Sequence, residues 1–193
     1  MPFPHHHVNP TLVPYDLRRR YSVEEFARLP EDNTYRYELQ DGVITVSPRP
    51  SNLRMKVLLR LGTEIDRQLP SGLDVLPEVE VDLRPAWPKV RVPDLVVMRS
   101  DLARRGPNPA SNVLLAIEIL SPGNRESDML DKQVEYADAG IENLWIVDPR
   151  PHVTATVYMV CCGDFEEDQR CKHTFEVERP CPLTIDLDAL LPD

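Results

Sequence analysis

Short blocks of apolar and polar residues, most of them closed by proline or glycine, run the length of this chain. Tyr35, Tyr37 and Leu39 alternate with Arg36 and Glu38, and Asp41-Gly42 then precedes Val43-Ile44-Thr45-Val46, the pattern of a two-residue hairpin. Before it, Ser22-Val23-Glu24-Glu25 forms a capping box, which predicts a short helix from Val23 to about Leu29, stopped by Pro30. Leu53, Val57, Leu58, Leu61, Ile65 and Leu69 recur at helical spacing and predict a second helix over about 52–69. Residues 73–83 alternate as a half-exposed strand, kinked or split at Pro77. Residues 92–98 and 113–120 are nearly continuous in aliphatic side chains, as central strands covered on both faces should be.

A helix over 126–139 follows, closed by Gly140. Its wheel turns Met129, Leu130, Gln133, Val134, Tyr136 and Ala137 to the core, with Asp131, Glu135 and Asp138 on the outer side. Residues 143–148 read as another buried strand. Residues 153–160 and 174–177 read as a closing hairpin with 161–172 as its loop, and 183–190 as a leucine-packed tail. Residues 1–20 are proline-rich and aperiodic, so a flexible arm is expected ahead of a single domain over 21–193.

Composition changes this picture in few places. A chain of 193 residues, 41% hydrophobic and 28% charged, is one globular domain with enough length to bury a core. A formal charge of −10 argues against non-specific affinity for nucleic acid, yet leaves room for a metal site whose ligands are carboxylates. No apolar run approaches the length of a membrane span, and the N-terminus lacks a basic-then-apolar leader, so the expected location is the cytoplasm. Cys161, Cys162, Cys171 and Cys181 contain no CxxC pair, so reduced thiols are expected rather than zinc. Trp87, in a stiff loop, is read as a lid or a packed anchor.

The candidate chemistry lies between residues 92 and 136. Asp94 and Glu118 each interrupt an apolar run, where a carboxylate costs several kcal/mol unless it is paired or holds a cation. A structural salt bridge competes with function for either acid alone. Lys132 falls at the edge of the core face of its helix, one turn after Asp128, and a half-buried lysine and a surface lysine both fit that position. Arg54, Lys56, Arg60 and Arg67 give the second helix a cationic character, and Arg54 and Lys56 at its start are the candidate contacts to nucleic acid. No nucleophile elbow appears.

Tyr37-Glu38-Leu39 with Asp41-Gly42, Pro93-Asp94-Leu95-Val96-Val97, Ile117-Glu118-Ile119-Leu120-Ser121-Pro122, Lys132 with Tyr136, and Leu144-Trp145-Ile146-Val147-Asp148-Pro149 occur in this order. The succession resembles the Uma-two family of restriction endonucleases within the PD-(D/E)XK nuclease superfamily. That resemblance implies an α/β (α+β) fold with a restriction-endonuclease-like core, a central mixed sheet flanked by helices. It implies a metal-dependent endonuclease acting on DNA, with Mg²⁺ or Mn²⁺ held by Asp94, Glu118, the Ile119 carbonyl and Glu38. Lys132 matches the lysine that this family carries on the following helix, while Leu120 stands where the wider superfamily has its lysine. A homodimer follows by analogy with nucleases that cut both strands. Where the family opens its second helix with a His-Gln pair, this chain has Arg54-Met55. The rival reading is a catalytically weak or inactive nuclease-fold protein acting as a binding or regulatory module.

Overall fold

Two crossings between sheets decide where the acids go. The computed structural model describes residues 15–30, 35–47, 50–83, 87–102, 106–121, 126–150 and 152–191. The helix α1 (Val23–Phe26) carries the capping box in full: the Glu25 amide donates to Ser22 Oγ at 3.1 Å and the Ser22 amide donates to Glu25 Oε2 at 2.8 Å. Its regular part ends a turn earlier than the pattern predicts, at Ala27.

Strands β1 (Arg36–Gln40) and β2 (Val43–Ser47) form the expected hairpin, with Gln40 opposite Val43. Asp41 and Gly42 both have positive φ, 50° and 82°, as a two-residue turn that follows the strand twist requires. At Gly42 a β-carbon would also press within 3.2 Å of the Tyr21 carbonyl oxygen, because the Tyr21 amide donates to the Gly42 carbonyl at 2.7 Å. Part of the stretch expected as an arm lies against this hairpin: the Tyr15 ring stands edge-on to Tyr37 at 4.8 Å. Residues 1–14 of that stretch fall outside the described residues.

The chain then runs through α2 (Asn52–Asp66), β3 (Leu73–Pro77), β4 (Val81–Asp82), β5 (Val90–Arg91), β6 (Leu95–Arg99), β7 (Asn108–Pro109) and β8 (Val113–Ile119). It ends with α3 (Glu126–Asp138), β9 (Asn143–Asp148), β10 (Thr154–Cys161), β11 (Asp164–Cys171), β12 (Thr174–Val177) and β13 (Leu183–Asp186). Among the described residues, a six-stranded sheet has the order β11-β10-β9-β8-β6-β3 and a five-stranded sheet the order β2-β1-β5-β4-β7. In the larger sheet β8 and β9 are parallel, bridged by α3, while the other neighbours are antiparallel, which makes the sheet mixed. The fold is the mixed α/β arrangement expected.

The run over 73–83 is split, as Pro77 suggested, and its halves belong to different sheets: β3 to the larger, β4 to the smaller. Glu78, with φ +52°, makes the turn between them. The run over 92–98 divides as well. Residues 92–94 carry the chain from β5 in the smaller sheet to β6 in the larger, so Asp94 lies ahead of its strand rather than within it. The two crossings touch, since the Glu78 amide donates to the Asp94 carbonyl at 3.1 Å.

Helices cover both faces of the larger sheet. Val57, Leu58, Leu61 and Ile65 of α2 pack with Leu95, Val97, Leu115, Ile117 and Trp145 on one face. Met129 and Tyr136 of α3 pack with Val96, Met98, Ala116 and Leu144 on the other. The orientation of α3 differs from the wheel reading. Leu130 and Val134, assigned to the core, are each 56% exposed, whereas Lys132 is buried. The buried carboxylate of Glu118 needs a cation, and satisfying it rotates the helix so that positions 129, 132 and 136 face the sheet.

The C-terminal third also differs. Residues 164–171 are a strand, not a loop: β11 pairs with β10 through a two-residue turn in which Cys162 and Gly163 have φ 54° and 99°. Its polar sequence is that of an exposed sheet edge, which carries no alternation for a pattern to detect. Strand β12 pairs instead with β13. Leu183, Leu187 and Leu190 of the tail are buried, as expected. Cys161 and Cys162 are exposed at the β10–β11 turn and Cys171 is buried at the far end of β11. Trp87 is exposed and so is no packed anchor.

Candidate active site

Where β8 ends, several segments bring charged side chains under cover. Leu95 stands opposite Ile117 in the β6–β8 register, which sets Asp94 beside Glu118. Strand β1 contributes Arg36 and Glu38, two residues apart and therefore on one face. Strand β5 contributes Arg91, the first turn of α2 contributes Arg54, and α3 contributes Lys132, Glu135 and Tyr136. Asp94, Glu118, Glu38, Lys132 and Arg91 are all buried.

Asp94 is held from three directions. Arg36 Nη2 donates to Oδ1 at 2.8 Å, Arg54 Nη2 donates to the same oxygen, and the Ile119 amide donates to Oδ2 at 2.6 Å. Arg36 also donates to Glu78 at 3.1 Å. Burial pulls the Arg36 guanidinium down, but Asp94 and Glu118 outweigh it and hold the group above its ordinary pKa, fully charged.

Glu118 uses one oxygen only. Its Oε1 accepts from Lys132 Nζ at 2.9 Å and from the Tyr136 hydroxyl at 2.7 Å. Its Oε2 is buried and has no hydrogen-bond partner among the described residues. Burial pushes the Glu118 carboxyl above the usual carboxylate range; Asp94 and Glu38 push the same way and Lys132 and Arg36 oppose them. Burial pulls Lys132 down, but Glu118 and Glu38 hold its ammonium above the ordinary lysine value. Burial, then the charges of Glu118 and Glu38, push the Tyr136 phenol up, so it stays a neutral donor.

Glu38 is engaged at both oxygens. Oε1 accepts from the Val92 amide at 3.0 Å and lies 3.9 Å from Lys132 Nζ, and Oε2 accepts from Arg91 Nη1 at 3.1 Å. Burial raises its pKa, but Lys132, Arg91 and the Val92 amide outweigh burial and leave the carboxyl below the usual range. Arg91 Nε donates in turn to Glu135 Oε2 at 2.7 Å, and Lys89 Nζ donates to Glu135 Oε1 at 2.7 Å. Acids and bases thus alternate from Glu118 through Lys132, Glu38, Arg91 and Glu135 to Lys89, which is what a buried charge cluster needs.

The four residues singled out for chemistry, Asp94, Glu118, Glu38 and Lys132, come together. Arg54 joins them, whereas Lys56 stays exposed on α2. Three members escaped the pattern. Arg36 looks like the solvated side of a hairpin, and Glu135 falls on the outer side of the helical wheel. Arg91 did leave a signal: a cation between Val90 and Val92, just ahead of Pro93-Asp94, must find a counter-charge if its neighbours are buried.

Comparisons with known proteins bear on the family and the fold. A family model, Uma2, described as "Putative restriction endonuclease", matches residues 23–177. The crystal structure of a "putative nuclease belonging to DUF820" from Anabaena variabilis superposes with a TM-score of 0.66 at 20% identity, covering 88% of this chain and 97% of that one. No curated protein matches. No helix among the described residues is long and apolar enough to cross a membrane.

Proposed function

Since the chain belongs to the Uma2 family of restriction-endonuclease-like proteins, we propose that it is a metal-dependent endonuclease that hydrolyses phosphodiester bonds in DNA at a PD-(D/E)XK-type site. The observation that carries this reading is Glu118 Oε2, a buried carboxylate oxygen without a partner among the described residues, beside a second buried acid. An acceptor left so costs roughly 1–3 kcal/mol unless something electropositive fills the place. Carboxylate oxygens and a main-chain carbonyl are hard donors, so the residues fit Mg²⁺ or Mn²⁺. Asp94, Glu118 and the Ile119 carbonyl would hold the ion. When bound, such an ion neutralises charge on the scissile phosphate and acidifies a water molecule.

The chain's own groups supply the rest. Lys132, kept charged by two carboxylates, offers a donor that orients the attacking water or meets developing charge on the phosphate. Glu38 has both oxygens engaged, which supports a part in aiming Lys132, with any contribution to the ion made through water. Tyr136 fixes the rotamer of Glu118. Arg54 supplies a cation where a backbone phosphate would approach, with Lys56 farther out on the same helix. A symmetric pair of chains would present one such site to each strand of a duplex.

The test is cleavage of supercoiled and linear DNA with Mg²⁺ and with Mn²⁺, run beside Asp94→Ala. Metal-dependent cutting that disappears in the variant supports the reading. Absence of cutting on every substrate by a folded protein that also takes up no Mn²⁺ sinks it. One observation favours a non-cutting binding module instead: two guanidinium groups already neutralise Asp94. DNA binding without cleavage in the same assay would select that alternative.

A further inference from the structure

Asp94 Oδ1 has two cationic partners, and the two are not held alike. Arg36 comes from a strand and is tied at two carboxylates, Asp94 at 2.8 Å and Glu78 at 3.1 Å. Arg54 comes from the first turn of α2, and Asp94 is its one carboxylate partner among the described residues. The Nε atoms of both arginines are buried without a partner. A carboxylate oxygen offers two acceptor positions, so Oδ1 is filled by its two guanidinium donors. The other oxygen already accepts the Ile119 amide.

A divalent cation held by Asp94 and Glu118 would bring charge of the same sign against both guanidinium groups. Repulsion of this kind acts on whichever partner has the weaker second anchor, and that is Arg54. We propose that Arg54 is a positioning residue that occupies Oδ1 of Asp94 in the metal-free protein and is displaced when a divalent cation binds, so that the Arg54–Asp94 pair sets the cation affinity. The inference rests on the metal-dependent reading above, and goes beyond it by assigning a competitor to the ion.

A consequence is coupling to substrate. Once displaced, the guanidinium would have N–H donors no longer paired with Asp94, which a phosphodiester oxygen can accept. A phosphate that draws Arg54 off Asp94 makes room for the cation, and by linkage the cation strengthens phosphate binding by the same factor. The guanidinium at this point of α2 thereby makes ion and phosphate bind as a unit.

The experiment is a titration of the full chain with Mn²⁺ alone, followed by calorimetry and by the loss of the free-ion paramagnetic resonance signal. Wild type is compared with Arg54→Gln, Arg54→Lys and Arg67→Gln, the last removing one positive charge from the exposed end of the same helix. Arg54→Gln is expected to bind Mn²⁺ about tenfold more tightly than wild type, Arg54→Lys about threefold, and Arg67→Gln within about twofold. Equal affinity of Arg54→Gln and wild type overturns the proposal and leaves the metal-dependent reading standing. So does an Arg67→Gln affinity that rises as much as that of Arg54→Gln, since net charge alone then explains the gain. Absence of Mn²⁺ binding in all four chains overturns both. If Arg54→Gln loses its cooperative thermal transition, Arg54→Lys decides: tighter binding supports the competition and unchanged binding ends it.

Discussion

Lys132 Nζ stands 2.9 Å from Glu118 Oε1 and 3.9 Å from Glu38 Oε1, so one ammonium on α3 holds acids that belong to two different sheets. Its position explains both the rotation of α3 and the charge state of the cluster. The same geometry makes each partner sensitive to the loss of another.

Replacing Lys132 with alanine leaves Glu118 and Glu38 without their shared cation. Breaking a buried pair from one side costs about 3–5 kcal/mol, a large part of the stability of a domain this size. Urea unfolding of Lys132→Ala is expected to show a loss in that range together with loss of cleavage. A change smaller than about 1 kcal/mol, the ceiling for exposed pairs, would mean that the ammonium is solvated.

Glu118→Gln keeps the shape of the side chain and replaces one carboxylate oxygen by an amide. Mn²⁺ affinity is expected to fall by at least about tenfold, since losing a group that merely orients a ligand reaches that size and losing a direct ligand should exceed it. Calorimetry reads the change, and added chelator should stop cleavage by the wild-type chain. Unaltered affinity in Glu118→Gln would remove Glu118 from the ligand set.

Arg91 joins Glu38 to Glu135 through bonds of 3.1 and 2.7 Å, and it has no hydrogen bond to Asp94 or Glu118 among the described residues. Arg91→Leu is expected to lower stability by about 3–5 kcal/mol, because two carboxylates lose a buried partner. Its Mn²⁺ affinity should change much less than that of Glu118→Gln. Thermal unfolding and a Mn²⁺ titration of the same sample check both statements.

Acid should expose the opposite characters of two glutamates. Burial raises the Glu38 carboxyl, but Lys132, Arg91 and the Val92 amide bring it below the ordinary value. Glu38 therefore contributes stability above its unfolded-state pKa of about 4.3, and that contribution is lost as the pH falls through the lower, folded value. Glu118, raised by burial, opposes folding at neutral pH, and its opposition fades on acidification. Below about pH 4.3 the stability of wild type is expected to fall more steeply than that of Glu38→Gln. Urea midpoints measured along the acid limb test this, and parallel curves for the two chains would contradict it.

Much of the arrangement is legible in the sequence. The Asp41-Gly42 turn, the split at Pro77 and the two acid-bearing runs each follow from a local rule, and a carboxylate in an aliphatic run is conspicuous because burial penalises it. The parts that failed are those where a distant partner overrides a local preference. Leu130 and Val134 look like core residues on a wheel, but Glu118 selects Lys132 for the buried face. Strand β11 is polar because it is an edge, and polarity reads as loop. Arg36 and Glu135 look solvated until the folded chain brings Asp94 and Arg91 to them.

The crossing at residues 92–94 has a further implication, for the order of events during folding. Arg36 reaches Asp94 across 58 positions of chain, and Glu38 reaches the Val92 amide across 54. Contacts of such long sequence separation form late, after the entropy of closing their loops has been overcome. The hairpin must therefore dock on the larger sheet before Asp94, Glu38 and Lys132 share one space. A nascent or partly unfolded chain has the acids but not their arrangement, so any hydrolytic capacity belongs to the completed molecule alone.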